Sequence, residues 1–308
     1  KGAPIPFPLR ALLSAATPVT RFGMWARMQR KTHRVDARVI SVGNITAGGT
    51  GKTPTVLHQI AALARENEDR IGVLTRGYGS AKTSEPLLSA RLTEEEYVEQ
   101  LGDEPALILQ KHPEVLVVKG RDRVACAQIA VSAGQCTVLI LDDGFPYVRL
   151  HRDENVLVID ATNPFGNGQL IPRGILREPM EAIARATAVV LSRCDQATDL
   201  GALEHTIRRY SNVPIERNRH TPTVYVEARS GREEPLETFH GTDVILASGI
   251  GNPDAFRATV ASTGCNVVEC RVRRDHAALT QEDLRAELPI VITEKDAVKL
   301  RNAPENVY

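Results

Sequence analysis

The sequence predicts a two-domain α/β protein, with a larger parallel sheet covered by helices on both faces and a second, smaller α/β domain. Short apolar runs alternate with helical patterns from Arg38 to Ser192, and a second alternation runs from Val244 to Lys299. Such alternation is typical of parallel sheets whose strands are buried on both faces. Between the two parts, residues 211–241 are interrupted by proline, glycine and charged residues, which indicates a linker region.

The predicted elements follow in chain order. The strands expected in the larger sheet are Arg38–Val42, Ile71–Thr75, Val115–Val118, Thr137–Asp142, Val156–Asp160 and Ala188–Ser192. Later strands are expected at Thr223–Ala228, Val244–Ser248, Asn266–Cys270 and Ile290–Thr293. Helices are expected to begin near Lys52, Glu104, Asp122, Pro253 and Glu294. The predicted segments are 1–34 (basic and amphipathic), 35–215 (larger domain), 216–240 (linker) and 241–308 (smaller domain).

Composition excludes several functional classes. The 308 residues are 42% hydrophobic and 25% charged with a formal net charge of zero, so no bulk field favours nucleic acid as a partner. The five cysteines are odd in number and lack C-x-x-C spacing, which favours reduced thiols in the cytoplasm over disulfides or zinc. No stretch approaches the roughly 20 apolar residues of a membrane-spanning helix.

The first 34 residues differ from the rest of the chain. No acidic residue precedes Asp36, and Phe7, Phe22 and Trp25 stand among lysines and arginines. Leu9 to Arg30 predicts an interrupted amphipathic helix. Such a helix either lies in a membrane interface, with its cations towards anionic lipid, or packs on the domain with an exposed basic face.

A glycine-rich run, G-N-I-T-A-G-G-T-G-K-T-P at residues 43–54, follows the first strand. It matches the phosphate-binding pattern G-x-x-x-x-G-K-[ST] except that Thr46 replaces the first glycine. The context of strand, loop and helix start therefore predicts a P-loop NTPase-like fold, with Lys52 on the terminal phosphates and Thr53 on Mg²⁺. The residues expected to bind nucleotide are Thr46, Ala47, Gly48, Gly49, Thr50, Gly51, Lys52 and Thr53.

Two further strand ends carry polar groups. Asp142 and Asp143 end the apolar run T-V-L-I-L-D-D-G, where one of them is expected to hold Mg²⁺ directly or through water; paired aspartates also form turns. The tetrapeptide S-R-C-D at 192–195 follows another strand and is similar to the guanine-reading motif of GTPases with two letters changed.

Several blocks taken together resemble the tetraacyldisaccharide 4'-kinase family, over about residues 8–301. Besides the glycine-rich run, the blocks are T-R-G-Y-G (75–79), G-D-E-P (102–105), G-R-D-R (120–123), D-D-G-F (142–145), F-G-N-G-Q-L-I-P-R-G-I-L-R-E-P (165–179), S-G-I-G-N-P (248–253), D-H (275–276) and T-E-K-D-A-V-K (293–299). The altered glycine at Thr46 is typical of that family.

The resemblance implies an enzyme that transfers the γ-phosphate of ATP, with Mg²⁺, to the 4'-hydroxyl of tetraacyldisaccharide 1-phosphate, forming lipid IVA. It also implies two α/β domains that close around the site. Because the acceptor is a lipid, it implies peripheral attachment of residues 1–34 to the cytoplasmic face of the bacterial inner membrane. We expect a monomer.

The resemblance assigns residues position by position. Lys52 and Asp103 match the family's catalytic lysine and its proposed base. His276 matches a histidine expected to pair with Asp103 from the other domain on closure. Without the resemblance, Asp103 is equally well interpreted as a helix N-cap, and His276 is interpreted as a surface residue.

The remaining assignments concern the metal and the substrates. The expected metal ligands are Thr53, Asp142, Asp143 and Glu178, and the expected substrate contacts are Tyr78, Arg123 and Arg177. Tyr78 also reads as a packed aromatic residue at a turn. The arginines suit phosphate because a guanidinium donates in a bidentate fork.

Two positions depart from the family pattern. Pro146 and Tyr147 follow D-D-G-F where the family has Gln and often His, and Ala277 follows His276 where the family has a second His. Two other functions stand beside the kinase. The S-R-C-D tetrapeptide supports a P-loop GTPase or metallochaperone-like switch, and the two departures support a catalytically weak relative that binds the lipid.

Overall fold

The computed structural model describes residues 7–65 and 70–308. The strands are β1 (Arg38–Gly43), β2 (Ile71–Thr75), β3 (Leu87–Leu88), β4 (Leu116–Lys119), β5 (Val138–Asp142), β6 (Glu154–Asp160), β7 (Ala188–Ser192), β8 (Ile215–Arg217), β9 (Tyr225–Val226), β10 (Glu233–Glu234), β11 (Asp243–Ser248), β12 (Asn266–Val272) and β13 (Ile290–Val291). The α-helices are α1 (Phe7–Met28), α2 (Lys52–Arg65), α3 (Tyr97–Leu101), α4 (Asp103–Lys111), α5 (Arg123–Ser132), α6 (Leu200–Arg208), α7 (Pro253–Ala261) and α8 (Glu294–Ala297).

Contacts divide the chain into two compact units. The first comprises the described residues of Lys1–Arg76, Ser84–Leu88 and Val115–Asn218, and the second comprises Gly77–Thr83, Ser89–Glu114 and Arg219–Tyr308. The sequence placed 35–215 in one continuous domain, but the chain between β2 and β4 contributes α3 and α4 to the second unit. Side chains hold α4 there, because Lys111 pairs with Glu294 and Glu104 lies 2.8 Å from Lys295.

An eight-stranded sheet forms the first unit, in the order β3-β4-β2-β5-β1-β6-β7-β8. All neighbours are parallel except β3 and β4. Parallel strands bring their carboxyl ends to one edge, where ligands of open α/β sheets bind. The ends of β1, β5 and β7, which carry the glycine-rich run, Asp142 and Ser192, therefore lie at the same edge. The predicted fold class is confirmed.

The central strand of this sheet is buried because its residues are apolar or small. Val39, Ile40 and Val42 are almost fully buried. Gly43 is required where β1 ends, since a Cβ added there would lie 2.5 Å from the backbone nitrogen of Phe145. The glycine thus lets the chain after β5 pass directly beside the start of the phosphate loop.

The second unit contains a three-stranded parallel sheet in the order β12-β11-β13 and a two-stranded antiparallel pair, β9 and β10. One core cluster contains Tyr225, Phe239 and Leu246, in which the Tyr225 and Phe239 rings meet edge to face at 4.9 Å. The strand predicted at Thr223–Ala228 is therefore part of this unit as β9.

Helix α1 continues through Pro18, whereas the sequence predicted an interrupted helix. Met24 is buried in the core of the first unit, and the Thr20 hydroxyl donates to the Ile171 carbonyl at 3.0 Å. Phe22 and Trp25 are exposed and stack at 5.7 Å. Residues 1–6 of the predicted membrane-associating segment lie outside the described residues. Within residues 7–65 and 70–308, no helix has the length and apolarity needed to cross a bilayer.

Candidate active site

The phosphate loop connects β1 to α2, as the sequence predicted. Gly48 and Gly51 have φ angles of 109° and 85°, values that favour glycine. The Thr55 hydroxyl in the first turn of α2 donates to the Gly51 carbonyl at 3.0 Å. Because Pro54 has no N–H, its place in that first turn leaves no donor unpaired.

Thr46 occupies the altered position without backbone strain. It forms an isolated antiparallel bridge with Leu176, and the neighbouring Ala47 N–H donates to the Ile175 carbonyl at 2.7 Å. An extended residue here needs no positive φ angle, so a β-branched side chain is tolerated. The backbone at Thr46 and Ala47 therefore anchors the loop to the segment that carries Arg177.

Buried Asn44 connects the loop to that segment. Its amide donates to the Thr50 hydroxyl at 2.8 Å, and its side-chain oxygen accepts from Arg177. Sequence reasoning did not assign Asn44. Its position after the strand, inside the glycine-rich run, was the available signal.

Asp143 joins two of the predicted cations. Its carboxylate accepts two hydrogen bonds from Arg177, at 2.9 and 2.7 Å, and lies 3.6 Å from Lys52 Nζ. Burial would raise the pKa of Asp143, but the Arg177 hydrogen bonds and the Lys52 charge lower it to about 2. Asp143 also has a φ of 51°, an uncommon conformation outside glycine that recurs at functional sites.

Asp142 has a different environment from its neighbour. Its carboxylate accepts from the Thr75 hydroxyl at 3.2 Å. Burial and the adjacent Asp143 charge raise the pKa of Asp142, against the opposing charges of Lys52 and Arg123. Of the two aspartates, Asp142 is thus the one whose charge is less compensated by the protein.

Glu178 is buried, and its carboxylate pairs with Arg185. The Arg185 guanidinium also lies 4.9 Å from the centre of the Phe145 ring. Asp142, Asp143 and Glu178 do not form a group of three ligand atoms within 4.8 Å of one another. A hydroxyl and a carboxylate, from Thr53 and Asp142, are nevertheless the hard oxygen ligands that suit Mg²⁺ bound partly by nucleotide phosphates.

Arg123 begins α5 and is buried with its guanidinium donating to the Gly120 carbonyl. Among the described residues, no carboxylate lies within ion-pairing distance of it, and burial lowers the pKa of Arg123. Tyr147, one of the departures from the family pattern, accepts from the Arg123 N–H at 3.0 Å and donates to Asp122 at 2.9 Å. The departure thus fixes the start of the helix that carries Arg123.

Asp103 and His276 form a hydrogen-bonded pair within the second unit. His276 Nδ1 lies 3.0 Å from both carboxylate oxygens of Asp103. The sequence expected the two residues to come from different domains, whereas α4 belongs to the same unit as His276. Asp103 is the first residue of α4 and accepts from the Glu104 N–H at 3.0 Å, while the cap position itself is Gly102.

Two lysines of the block T-E-K-D-A-V-K offset the negative charge of Asp103. Lys295 Nζ lies 3.6 Å from Asp103, and Lys299 Nζ lies 3.9 Å from it. Burial would raise the pKa of Asp103, but the His276 hydrogen bond and the Lys295 charge lower it to about 2. The hydrogen bond to Asp103 raises the pKa of His276. Neither lysine was assigned from the sequence; Lys295 lies in α8, and Lys299 lies in the turn that follows this helix.

Asp103, Glu104 and His276 form the only group of metal-ligand type within 4.8 Å among the described residues. The Lys295 ammonium lies 2.8 Å from Glu104 and already supplies positive charge there. We therefore assign this cluster no metal.

Tyr78 lies beside the same pair. The residue is 70% exposed, and its ring centre is 5.1 Å from that of the His276 ring. His276 has a φ of 66°, and its N–H donates to the Gly249 carbonyl at 2.9 Å. Gly249 is needed because a Cβ there would lie 2.3 Å from the Ala277 carbonyl oxygen. The block S-G-I-G-N-P thus holds the backbone of His276 through the Gly249 carbonyl.

Comparison with known proteins identifies the family of this chain. A family model described as tetraacyldisaccharide-1-P 4'-kinase (LpxK) matches residues 4–308. The tetraacyldisaccharide 4'-kinase of Anaeromyxobacter sp. (strain Fw109-5) is 40% identical over 285 residues, covering 88% of this chain and 75% of the relative. That of Syntrophus aciditrophicus (strain SB) is 37% identical over 304 residues, covering 92% and 80%.

A solved structure extends the likeness to the fold. The crystal structure of the apo form of LpxK from Aquifex aeolicus in complex with ATP has a TM-score of 0.72 and 28% identity, covering 97% of this chain and 92% of that one. The chain therefore belongs to the tetraacyldisaccharide 4'-kinase family of ATP-dependent lipid A kinases.

Proposed function

We propose that the chain transfers the γ-phosphate of ATP to the 4'-hydroxyl of tetraacyldisaccharide 1-phosphate, forming lipid IVA, with the residue roles given below. The observation that carries the proposal is the phosphate loop at the end of β1, with Lys52 and Asp143 3.6 Å apart at the start of α2. Phosphoryl transfer depends mainly on positioning and on stabilising charge that spreads over the transferring oxygens.

On the nucleotide side, Lys52 and the loop N–H groups from residues 48–53 neutralise the phosphates, whereas the Ala47 N–H is already bonded within the protein. Asp143 is a positioning residue. Its carboxylate holds Arg177 and Lys52 and so determines where their positive charges lie. Arg123 contributes a buried guanidinium that lacks a carboxylate partner among the described residues, which suits an anionic ligand.

Thr53 and Asp142 are the residues that would hold Mg²⁺. Asp142 is preferred to Asp143 as a direct ligand because the Arg177 fork neutralises Asp143 and not Asp142. Burial and the adjacent Asp143 charge raise the pKa of Asp142, and a bound cation would offset both. Bound Mg²⁺ would neutralise charge on the β- and γ-phosphates. Glu178 acts less directly, since its carboxylate already pairs with Arg185.

On the acceptor side, Asp103 accepts a hydrogen bond from the sugar hydroxyl and takes its proton late in the transfer. A carboxylate of low pKa suffices for this, because the hydroxyl proton need not leave early in a loose transition state. His276 holds Asp103 in place through its Nδ1, and exposed Tyr78 offers a ring beside them for the disaccharide.

For the lipid, we assign membrane contact to α1. Exposed Phe22, Trp25 and Met28 lie among Arg21 and Arg27, while Met24 packs into the core. Apolar rings beside cations suit a peripheral position in an anionic interface. The expected site is the cytoplasmic face of the inner membrane, and the expected state is a monomer.

Liposome flotation tests this contact. Phe22→Ser with Trp25→Ser should reduce recovery with anionic liposomes, whereas Val268→Ser, at an exposed valine of β12, should not. Equal recovery of both variants with the liposomes would exclude α1 as the contact.

The reaction is tested by following labelled γ-phosphate from ATP to tetraacyldisaccharide 1-phosphate in detergent micelles, with an acceptor that lacks the 4'-hydroxyl as control. We expect label in the complete acceptor alone. If a folded, ATP-binding protein transfers none, Pro146 and Ala277 become decisive and the weak lipid-binding relative is favoured. Transfer from GTP but not from ATP would favour the switch.

A further inference from the structure

The S-R-C-D tetrapeptide contacts the phosphate loop through its first two residues. The Ser192 hydroxyl donates to the Thr50 carbonyl at 2.8 Å, and Arg193 Nη1 donates to the Gly49 carbonyl at 3.0 Å. Both side chains are buried; Ser192 is the last residue of β7, and Arg193 follows it directly. Neither residue has a place in the reaction described above.

These bonds fix the direction of two peptide groups. In a planar trans peptide, the carbonyl of one residue and the N–H of the next point in opposite directions. Holding the Gly49 and Thr50 carbonyls on one side therefore turns the Thr50 and Gly51 N–H groups to the other. Among the described residues, those two N–H groups have no hydrogen-bond partner.

The arrangement extends along the loop and is itself supported. The Gly51 carbonyl is held in the same way by Thr55, so three consecutive loop carbonyls are bonded to side chains. Arg193 also pairs with buried Asp160 at the end of β6, which compensates its charge. Arg193 has a left-handed backbone, with φ of 56° and ψ of 41°, an outlier of the kind that marks functional positions.

We propose that Ser192 and Arg193 are positioning residues that hold the Gly49 and Thr50 carbonyls outward, so that the Thr50 and Gly51 N–H groups point at the nucleotide phosphates. The inference rests on the proposed ATP-binding function of the loop. It also gives the first two residues of the motif that resembled a guanine reader a role at the loop, because Arg193 is bonded to Asp160 and to the Gly49 carbonyl. The ligand feature read by this pair is the phosphate chain and not the base.

This assignment has a consequence that base recognition does not share. Weakening the pair should lower affinity for ATP, GTP and inorganic tripolyphosphate by the same factor. One neutral hydrogen bond corresponds to about five- to tenfold in affinity. A base-reading residue would instead change the ratio of ATP to GTP affinity and leave tripolyphosphate unaffected.

The experiment measures binding of the three ligands, each with Mg²⁺, to the full chain by calorimetry. Ser192→Ala removes the hydroxyl and little volume, and we expect about five- to tenfold weaker binding of all three. Ser262→Ala is the matched control, because that hydroxyl also donates to a backbone carbonyl, of Thr259, but at an exposed helix end. It should leave all three affinities unchanged.

A second variant covers the arginine. Arg193→Met combined with Asp160→Asn removes both buried charges together, since removing one partner would leave the other uncompensated. We expect the same uniform loss. Arg217→Met, at the exposed Arg217–Glu204 pair, is its control.

The possible outcomes distinguish a failure of this inference from a failure of the proposed ATP-binding function. A uniform loss supports the positioning assignment, and a selective loss of ATP or GTP overturns it in favour of base reading. Unchanged affinities in both variants overturn it as well. Failure of the wild-type chain to bind ATP would instead overturn the proposed function.

Discussion

The phosphate loop and the Asp103–His276 cluster use different atoms for their chemistry. In the proposed mechanism the loop works through backbone N–H groups, with Lys52 at the start of α2 as the adjacent cation. The cluster works through side chains from three separate segments, in which Lys295 and Lys299 compensate the carboxylates. The loop presents positive charge to an anionic ligand, whereas the negative charges of the cluster are already offset by its own lysines. This difference suggests that the loop site depends on ligand charge and the cluster on exact placement.

The largest expected effect is at the loop. Lys52→Ala removes the charge that reaches the terminal phosphates, and we expect turnover to fall by about 10³-fold or more. Release of labelled γ-phosphate onto the acceptor measures it. Arg217→Ala, at an exposed pair outside the site, should retain full turnover. An active Lys52→Ala enzyme would remove the loop lysine from the mechanism.

The cluster should respond as a unit. We expect Asp103→Ala to lower kcat by about 10²-fold, within the range for removing one acid–base group. Because His276 acts through Asp103, His276→Ala added to Asp103→Ala should cost little more. Steady-state kinetics of both single variants and the double variant measure the coupling. Losses that multiply would mean that the two residues act independently.

The phosphate loop could be predicted from the sequence more fully than the Asp103–His276 cluster. Residues 43–54 predicted a strand, a loop and a helix start because all three lie in one stretch. Asp103 and His276 are 173 positions apart, and only the family resemblance joined them. Their shared unit was not predicted, because side-chain pairs such as Glu104 with Lys295 hold α4 there and leave no local pattern.

Three elements were missed for reasons that are local to each of them. The two-residue strand β3 is too short to show a periodicity, and β8 lies where proline and charged residues indicated a linker. Helix α6 was missed although Asp199 caps it by accepting from the Ala202 N–H, which is a sequence signal for a helix start. Ser192 and Arg193 had a recognisable motif, but the motif could not say which atoms they contact.

Breaking the buried support of the cluster should lower stability. Lys299 and Asp296 pair at 2.7 Å, with 6% and 0% of their side chains exposed. Lys299→Met leaves the Asp296 charge buried and unpaired, and we expect a loss of about 3 kcal/mol in the free energy of unfolding. Lys111→Met, at the exposed pair with Glu294, is the control and should cost less than about 1 kcal/mol in urea unfolding. Equal losses would contradict a compensated, buried cluster.

The smallest effect is a pH dependence confined to the same cluster. The pKa of His276 is raised in the folded chain above its ordinary value of 6.5 by the hydrogen bond to Asp103. Its protonation therefore stabilises the fold fully below about pH 6.5, and the stabilisation is lost as pH rises through the folded pKa. The pKa of Asp103 is lowered from 3.8 to about 2, so its contribution is present above pH 3.8 and lost as pH falls towards 2.

Both contributions are thus present together between these two limits. The difference in unfolding free energy between the wild type and His276→Gln should be largest near pH 5 and should shrink above pH 6.5. Urea unfolding at pH 5, 7 and 9 measures it, with His58→Gln on the exposed face of α2 as the control. A difference that grows with pH would mean that His276 is stabilised in its neutral form, and the cluster would then hold the imidazole as a donor to Asp103 without sharing its charge.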